Sequence, residues 1–369
     1  MPVRRTVREE VLEFSPYVPG LSIDEIRQKY GLARVIKLAS NENPLGAPPL
    51  AQKAIKAKAD LAFRYPQAGN PRLIAALSRA HGVPEDRLVA GNGSDEIIDL
   101  ILRVKARPGV DNIVTFRPCF SIYALQAKLC GLSLRQVPLS PDFSFDLDAL
   151  VAACDENTAV VFLTNPDNPS GYAVRAEAVL NLARRLPPRA LLVVDEAYVE
   201  FADPYEEYAV LPRLAEADNL AVLRTFSKLY GLAGLRLGFS AMPAWLADYL
   251  ARVKLPFSVN LLAEEAGIAA LEDRHFKEKT LETVRRGRAL LAGELTALGF
   301  AVFPSLANFL LFKPNVDAGE LFTRLLARGI IIRPLKSYGL PEYLRVSVGN
   351  AEENQAFLVA AREIADDLG

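Results

Sequence analysis

A lysine in an apolar segment is the sequence feature that is most specific to one kind of chemistry. Lys228 lies in Thr225-Phe-Ser-Lys-Leu-Tyr-Gly-Leu-Ala-Gly-Leu-Arg236, directly after Ser227. Burial lowers the pKa of an amine toward the range in which its unprotonated form is a nucleophile, and imine formation with an aldehyde requires that form. A single lysine is more often a solvated surface charge, but these neighbours favour the chemical interpretation.

A carboxylate ends a second apolar run, Val193-Val-Asp-Glu-Ala-Tyr198. Burying an Asp at the end of a strand is unfavourable unless a cation or a hydrogen-bond donor meets it, and a protonated ring nitrogen would serve Asp195 in this way. Two alternatives stay open. Asp195 would be a Mg²⁺ ligand in a nucleotide-binding protein, although the phosphate-binding Gly-Lys loop of such proteins is missing, or one half of a structural salt bridge.

A small-residue turn follows a predicted strand and opens a predicted helix at Gly91-Asn-Gly-Ser-Asp95. Backbone N–H groups at such a helix start can approach a phosphate closely, with the Ser94 hydroxyl as a further donor. The alternative is an ordinary capped turn in which Ser94 is the N-cap and the acidic residues after it favour the helix dipole. The turn is not a dinucleotide-binding motif, because Glu96 replaces the third glycine.

A loop with two prolines, Thr164-Asn-Pro-Asp-Asn-Pro-Ser-Gly171, follows another apolar run. Ligands of α/β proteins bind at the carboxyl ends of parallel strands, so Asn168 is a candidate ligand-binding residue; alternatively, its side chain bonds only to its own turn. Together the four segments supply an amine, a carboxylate for a ring nitrogen, donors for a ring oxygen and a phosphate cup. An aldehyde cofactor with a phosphate and a pyridine ring needs these groups.

The elements that position these residues predict an α/β fold. Short β-branched runs alternate with helical patterns from about residue 85 to 240, which is typical of a mostly parallel sheet flanked by helices. We predict a large cofactor-binding domain over 46–258. A smaller α/β domain over 259–369 would pack with the N-terminal segment 1–45. The predicted strands of the large domain begin near Arg87, Asn112, Ser133, Thr158, Ala190, Leu220 and Leu235.

Composition excludes several other classes. A net charge of -1 gives no electrostatic footprint for nucleic acid or for an anionic membrane surface. Apolar runs are too short to span a bilayer and the start has no apolar signal region, so we expect a cytoplasmic protein with no membrane partner. Three cysteines without CxxC spacing and two histidines give little material for disulfides, a metal site or a Ser-His-Asp hydrolase. We expect no metal, and buried, unreactive thiols.

The chain as a whole resembles the fold-type I, aspartate-aminotransferase-like family of pyridoxal-phosphate (PLP) enzymes, and within it the histidinol-phosphate aminotransferases. The resemblance extends from Ser15-Pro-Tyr-Val-Pro-Gly20 through Leu38-Ala-Ser-Asn-Glu-Asn-Pro-Leu-Gly46 and Arg64-Tyr-Pro66 to Leu344-Arg-Val-Ser-Val-Gly349. It implies a role for each candidate residue of the four segments. Lys228 would form the imine with PLP, Asp195 would pair with the pyridinium nitrogen, Asn168 and Tyr198 would bond the ring oxygen, and Gly93, Ser94, Asp95, Ser227 and Arg236 would hold the phosphate.

Five further residues take roles from the resemblance alone. Phe120 replaces an aromatic residue, commonly Tyr, that stacks on the cofactor ring; stacking survives this change, but a hydrogen bond from the hydroxyl does not. Tyr65 would reach the cofactor phosphate of a neighbouring subunit, which implies a homodimer with composite active sites. Arg345 would grip the acidic group of the substrate. Tyr17 and Arg333 fall near the substrate phosphate or the mouth of the site.

The implied activity is transamination by a ping-pong mechanism, from L-histidinol phosphate and 2-oxoglutarate to imidazole-acetol phosphate and L-glutamate, in histidine biosynthesis. Two alternatives share the cofactor residues: an aromatic-amino-acid aminotransferase and an L-threonine-phosphate decarboxylase. A non-enzymatic alternative is an aminotransferase-like regulatory domain. It would need a DNA-binding module, and no segment the size of a helix-turn-helix precedes residue 40.

Overall fold

The computed structural model describes residues 7–12 and 22–368, which contain fourteen α-helices and thirteen β-strands. The helices are α1 (Glu9–Leu12), α2 (Ile23–Tyr30), α3 (Pro49–Lys58), α4 (Pro71–His81), α5 (Gly93–Lys105), α6 (Ile122–Leu129), α7 (Leu147–Ala152), α8 (Ala176–Arg185), α9 (Tyr205–Tyr208), α10 (Ala244–Val253), α11 (Leu261–Glu272), α12 (Arg274–Ala297), α13 (Ala318–Ala327) and α14 (Ala351–Leu368). The strands are β1 (Ile36–Lys37), β2 (Leu88–Asn92), β3 (Asn112–Arg117), β4 (Ser133–Pro138), β5 (Thr158–Thr164), β6 (Leu191–Asp195), β7 (Leu220–Thr225), β8 (Leu237–Ala241), β9 (Ala301–Val302), β10 (Phe309–Lys313), β11 (Ile330–Ile331), β12 (Arg333–Pro334) and β13 (Leu344–Ser347).

Within the described residues, seven strands form the large sheet in the order β2-β8-β7-β6-β5-β3-β4. The pairs from β7 to β4 are parallel, whereas β8 runs antiparallel to both of its neighbours. Each strand that the sequence predicts for this region is present, and the predicted mostly parallel α/β fold is confirmed. The parallel order brings the carboxyl ends of β5, β6 and β7 side by side at one edge of the sheet.

Alternation along β6 explains how two helical layers cover this sheet. Leu191 and Val193 pack into the cluster that contains α5, α6 and α10, whereas Leu192 and Val194 pack into the opposite cluster with α8. All five residues of β6 are buried, as expected for a central strand covered on both faces. The same alternation sends the side chains of the next two residues, Asp195 and Glu196, into different surroundings.

A smaller unit is built from the later part of the chain and an N-terminal strand. Strands β12-β13-β10-β9 form an antiparallel sheet, and β1 pairs in parallel with β11, with Ile36 opposite Ile330. Helices α12 and α13 pack on these strands, and α14 packs on α12 and α13. Helix α11 instead packs on α3 and α4, next to the large sheet, although it follows the boundary expected at 258/259. The domain limits stay a prediction.

The helices of the described residues include no segment that is both long and apolar enough to cross a bilayer. The cytoplasmic location that we expect from the sequence stays a prediction. The three cysteines are free and only partly buried. Burial raises the pKa of Cys119 to about 12 and that of Cys154 to about 11, so both thiols stay protonated near neutral pH.

Candidate active site

A cavity of about 250 Å³ opens where the parallel strands of the large sheet end. Its floor includes the last residues of three adjacent strands, Thr164 of β5, Asp195 of β6 and Thr225 of β7. Nine residues predicted from the sequence line this one cavity: Ser94, Asp95, Phe120, Asn168, Asp195, Tyr198, Ser227, Lys228 and Arg236. They come from separate parts of the chain and meet here because parallel strands end on the same edge.

Lys228 is partly buried in this cavity, in the loop that follows β7. Its Nζ donates a hydrogen bond to the Ser40 carbonyl oxygen at 3.1 Å and lies 5.6 Å from the centre of the Tyr198 ring. Burial lowers the pKa of Lys228 to about 8, with the positive charges of Arg345 and Arg236 acting in the same direction. The unprotonated fraction of this amine near neutral pH is therefore far larger than that of an ordinary lysine, and the unprotonated form is the one that a nucleophile requires.

Asp195 is 4% exposed and ends β6 inside the cavity. Its Oδ2 accepts a hydrogen bond from the Tyr123 hydroxyl at 2.8 Å, and its Oδ1 accepts one from the backbone N–H of Ala197 at 3.1 Å. Within the described residues no cation pairs with this carboxylate, which removes the structural salt bridge as an explanation. Burial raises the pKa of Asp195 to about 6 despite the two hydrogen bonds.

An anion cradle closes one end of the cavity at the start of α5. The N-cap of α5 is Asn92, whose side chain makes no capping bond, so the alternative in which Ser94 is the N-cap does not hold. Gly93 has a positive φ of 75°, and a Cβ on it would lie 2.6 Å from a terminal nitrogen of Arg236. The Arg236 guanidinium approaches the helix start because this glycine has no side chain, and it contacts the Asp95 carboxylate at 3.3 Å.

The Asn168 amide connects the cavity to the smaller sheet. Its Oδ1 accepts a hydrogen bond from Arg345, which is 5% exposed and also donates to the Ala39 carbonyl oxygen. The turn bond that the sequence allowed for Asn168 belongs to its neighbour Asp167, which accepts from the backbone N–H of Ser170. Asn168 lines the cavity and its Oδ1 is engaged by Arg345, so its NH₂ group is the part of the side chain that can donate to a ligand.

A model of the aminotransferase class I and II family matches residues 33–360. The chain belongs to this family. The aminotransferase is 63% identical over 358 residues to "Histidinol-phosphate aminotransferase" of Nitratidesulfovibrio vulgaris strain Hildenborough, covering 97% of this chain and 96% of that protein. It is 59% identical to the protein of the same name from Oleidesulfovibrio alaskensis strain G20, covering 97% and 94%.

A crystal structure of histidinol-phosphate aminotransferase from Sinorhizobium meliloti in complex with PLP superposes on this aminotransferase with a TM-score of 0.88. The two chains are 27% identical, and the match covers 99% of this chain and 98% of the other. These comparisons confirm the predicted family, the predicted fold and the aminotransferase class of activity. The cofactor predicted from the sequence is the one that the S. meliloti protein holds.

Two residues predicted for the aminotransferase site, Tyr65 and Arg333, do not line the cavity around Lys228. Tyr65 is 81% exposed and its ring stacks on Phe257 at 4.8 Å, beside a separate cavity. Arg333 lines a larger neighbouring cavity of about 800 Å³, which Phe120 also lines. Tyr17 lies outside the described residues. Phe120 therefore lies between the 250 Å³ cavity around Lys228 and the 800 Å³ cavity that Arg333 lines. We call the face of Phe120 toward the 800 Å³ cavity its outer side.

Two residues of the aminotransferase site escaped sequence reasoning. Asn41, with a positive φ of 55°, donates from Nδ2 to the Tyr198 hydroxyl at 3.1 Å and accepts from the Ser347 hydroxyl at 2.9 Å. It thus joins the cavity to the smaller sheet. Tyr123, three residues after Phe120, supports Asp195 from below. The spacing of three between Phe120, which precedes α6, and Tyr123 in its first turn was the available signal for Tyr123.

Proposed function

We propose that this aminotransferase binds PLP in the cavity around Lys228 and transfers the amino group of L-histidinol phosphate to 2-oxoglutarate. One observation carries the proposal: a nucleophilic amine, an unpaired buried carboxylate and an anion cradle line the same cavity. The relatives at 63% and 59% identity support the substrate assignment, since both have that name. The products are imidazole-acetol phosphate and L-glutamate.

The residues present fit the cofactor. Its phosphate would be bound at the start of α5, where the N-cap side chain leaves the backbone N–H groups free and Gly93 admits Arg236. The Ser94 and Ser227 hydroxyls would add donors. The Asn168 NH₂ group and the Tyr198 hydroxyl would be donors for the ring oxygen, and Phe120 would stack on the ring.

Bound PLP supplies an aldehyde that condenses with amines and a ring that withdraws electrons from the substrate Cα. The chain's own residues do the rest. Lys228 Nζ provides the amine that holds the cofactor and, once displaced by substrate, moves the proton at the substrate Cα as a general base. Asp195 holds the proton on the ring nitrogen, and the pyridinium in turn supplies the cation that this buried carboxylate lacks.

Two arginines of the smaller sheet suit the acidic part of the substrate. Arg333 and Arg345 are directly opposite each other across β12 and β13. Like charges in this arrangement repel, and the buried Nε of Arg345 has no partner within the described residues. An anion beside them would relieve both problems. We propose that Arg345 grips the carboxylate of the amino donor or acceptor, while Arg333 contacts the substrate phosphate at the outer side of Phe120.

A substrate comparison tests the reaction. Purified enzyme with PLP is incubated separately with histidinol phosphate, phenylalanine and threonine phosphate, each with 2-oxoglutarate, and glutamate and CO₂ are measured. The expected result is glutamate formation with kcat/KM highest for histidinol phosphate. Preference for phenylalanine would indicate an aromatic aminotransferase, and CO₂ from threonine phosphate would indicate the decarboxylase; either would overturn the substrate assignment. Borohydride should fix the cofactor on Lys228, which peptide mapping checks.

We also propose a homodimer in which Tyr65 completes the cofactor site of the neighbouring subunit. An exposed aromatic surface supports this proposal, because Phe63, Tyr65 and Phe257 line one cavity and are all left in contact with solvent. A tyrosine that packs only within its own chain would not need such a surface.

Subunit exchange separates these possibilities. A Lys228→Ala chain is mixed with a Tyr65→Ala chain, and activity is followed at limiting PLP. In a heterodimer with composite sites, one site combines intact Lys228 with intact Tyr65, so activity and PLP affinity partly recover. No recovery after mass spectrometry has demonstrated heterodimers would place Tyr65 outside the partner's site.

A further inference from the structure

Tyr123 lies beneath the cofactor cavity and is completely buried. Its hydroxyl oxygen is 2.8 Å from Asp195 Oδ2 and 2.8 Å from the Thr164 hydroxyl oxygen. The ring cannot move freely, because it stacks on Phe162 at 4.4 Å with an interplanar angle of 9° and meets the edge of Phe120 at 5.7 Å. The packing therefore fixes the hydroxyl next to the carboxyl group.

The three groups can satisfy each other in either protonation state of Asp195. When the carboxylate is ionised, Tyr123 donates to Oδ2 and accepts from Thr164. When the carboxyl is protonated, it donates to Tyr123, which then donates to Thr164. A hydroxyl is both a donor and an acceptor, so only the hydrogen positions change. A phenylalanine at position 123 would leave the buried carboxyl without this partner, which is costly in either state.

Charges around Asp195 explain why both states are needed. Asp95 of α5 and Glu196 of the same chain segment favour the neutral form, as does burial. Lys228 and Arg236 line the same cavity but do not pair with Asp195. A ring cation arriving in the cavity would favour the ionised form. In the cofactor-free protein Asp195 is therefore neutral below about pH 6 and ionised above it, and a bound ring cation would keep it ionised at lower pH.

We propose that Tyr123, together with Thr164, is a positioning residue that holds the Asp195 carboxyl in one orientation in both of its charge states. The site then receives a cationic ring without rearranging its side chains. The identity of that ring rests on the proposed function, whereas the behaviour of Asp195 in the cofactor-free protein does not.

The test follows the Asp195 carboxyl carbon by NMR in cofactor-free protein labelled with ¹³C-aspartate, with the Asp195→Asn spectrum assigning the signal. Tyr123→Phe should raise the titration midpoint by about one pH unit, because a charge-assisted hydrogen bond is lost from the ionised form. Tyr230→Phe is the matched control: Tyr230 is also buried, but it packs against Phe226. A midpoint in Tyr123→Phe equal to that in Tyr230→Phe would overturn the proposal.

Thr164 gives a second test with the opposite sign, which also applies where Tyr123→Phe fails to fold. Thr164→Val should lower the midpoint by about half a pH unit, because the neutral form needs Thr164 as the acceptor for Tyr123. Thr164→Ser keeps the hydroxyl and should keep the wild-type midpoint. Equal shifts of the Asp195 titration midpoint in Thr164→Val and Thr164→Ser would contradict the proposed role of Thr164.

With PLP bound, Tyr123→Phe should also lower kcat about tenfold and displace its pH profile, while Tyr230→Phe leaves both unchanged. If the substrate assignment were wrong but the proposed role of Tyr123 and Thr164 correct, the shifts of the Asp195 titration midpoint would remain. Only the substrate used in the activity assay would change. If the proposed role of Tyr123 and Thr164 were wrong, the wild-type enzyme would still be active, but Tyr123→Phe and Thr164→Val would not shift the Asp195 titration midpoint in opposite directions.

Discussion

Asp195 and Glu196 are adjacent in sequence and both buried, yet their surroundings are opposites. Glu196 accepts a 2.8 Å hydrogen bond from Nε of Arg224, and Glu200 accepts a second from the same guanidinium at 2.9 Å. Burial works against the Arg224 charge, but these carboxylates hold its pKa well above the ordinary value. Among the residues that the structure describes, Asp195 receives hydrogen bonds only from Tyr123 and a backbone N–H.

The contrast distinguishes a charge that serves the fold from one that serves the reaction. The Glu196 carboxylate is paired with Arg224 of the same chain, so it needs no cation from a ligand. The Asp195 side is incomplete until a cation enters the cavity, so part of its electrostatic stabilisation is reserved for a ligand. Mutations on the two sides should accordingly affect different measurements: stability on the Glu196 side and catalysis on the Asp195 side.

The largest effect is expected at Arg224. Replacing Arg224 with Leu leaves Glu196 buried without its cation, which should lower the free energy of unfolding by about 3–5 kcal/mol. Urea unfolding measures this loss, with the exposed Arg285→Leu variant as the control. Activity per folded molecule should remain close to wild type. A large loss of kcat in protein that is still folded would break the division between the two sides.

Asp195→Asn should show the reverse pattern. An amide cannot hold a proton on the ring nitrogen, so kcat/KM should fall by about 10²–10³-fold, while cofactor-free stability at pH 7 is kept or slightly increased. Steady-state kinetics and urea unfolding on the same preparation give both numbers. Near-normal turnover would mean that this carboxylate is structural after all.

The pH dependence of cofactor-free stability should differ between wild type and Asp195→Asn. The pKa of Asp195 is about 6 in the folded protein against an ordinary value of 3.8. The folded state therefore holds its proton while the unfolded state releases it, and the contribution of Asp195 declines by about 2–3 kcal/mol from pH 4 to pH 6. Asp195→Asn should gain this much relative to wild type over that window. A constant difference between the two proteins would contradict the unpaired state of Asp195.

The smallest effect is expected at Glu200, the more exposed of the two carboxylates that bond to Arg224. Glu200 is more exposed than Glu196, and Glu200→Gln keeps a hydrogen-bonding group next to Arg224. It should cost about 1–2 kcal/mol in unfolding free energy without changing kcat. Urea unfolding of both variants shows how much of the unfolding free energy lost in Arg224→Leu comes from the partly exposed Glu200 and how much from the fully buried Glu196.

Sequence patterns predicted the large sheet well because its strands are nearly continuous apolar runs, which buried parallel strands require. The same patterns located Lys228, Asp195 and Asn168, since ligand-binding loops follow such strands. Tyr123 and Asn41 were missed for a physical reason: each acts through a contact that only tertiary packing creates. Nothing local distinguishes Glu196 from Asp195 either, because which face of the sheet receives Arg224 depends on a strand that comes later in the chain.

Asn41 has a consequence for how the protein is made. Its backbone N–H bonds to a hydroxyl 306 residues further along the chain, and β1 beside it pairs with β11. On the ribosome, Asn41 emerges long before either partner, whereas the residues of the large sheet can assemble as they appear. A nascent chain therefore carries Lys228 before Asn41 can bond to Ser347, and translation must pass Ser347 before the cavity is joined to the smaller sheet.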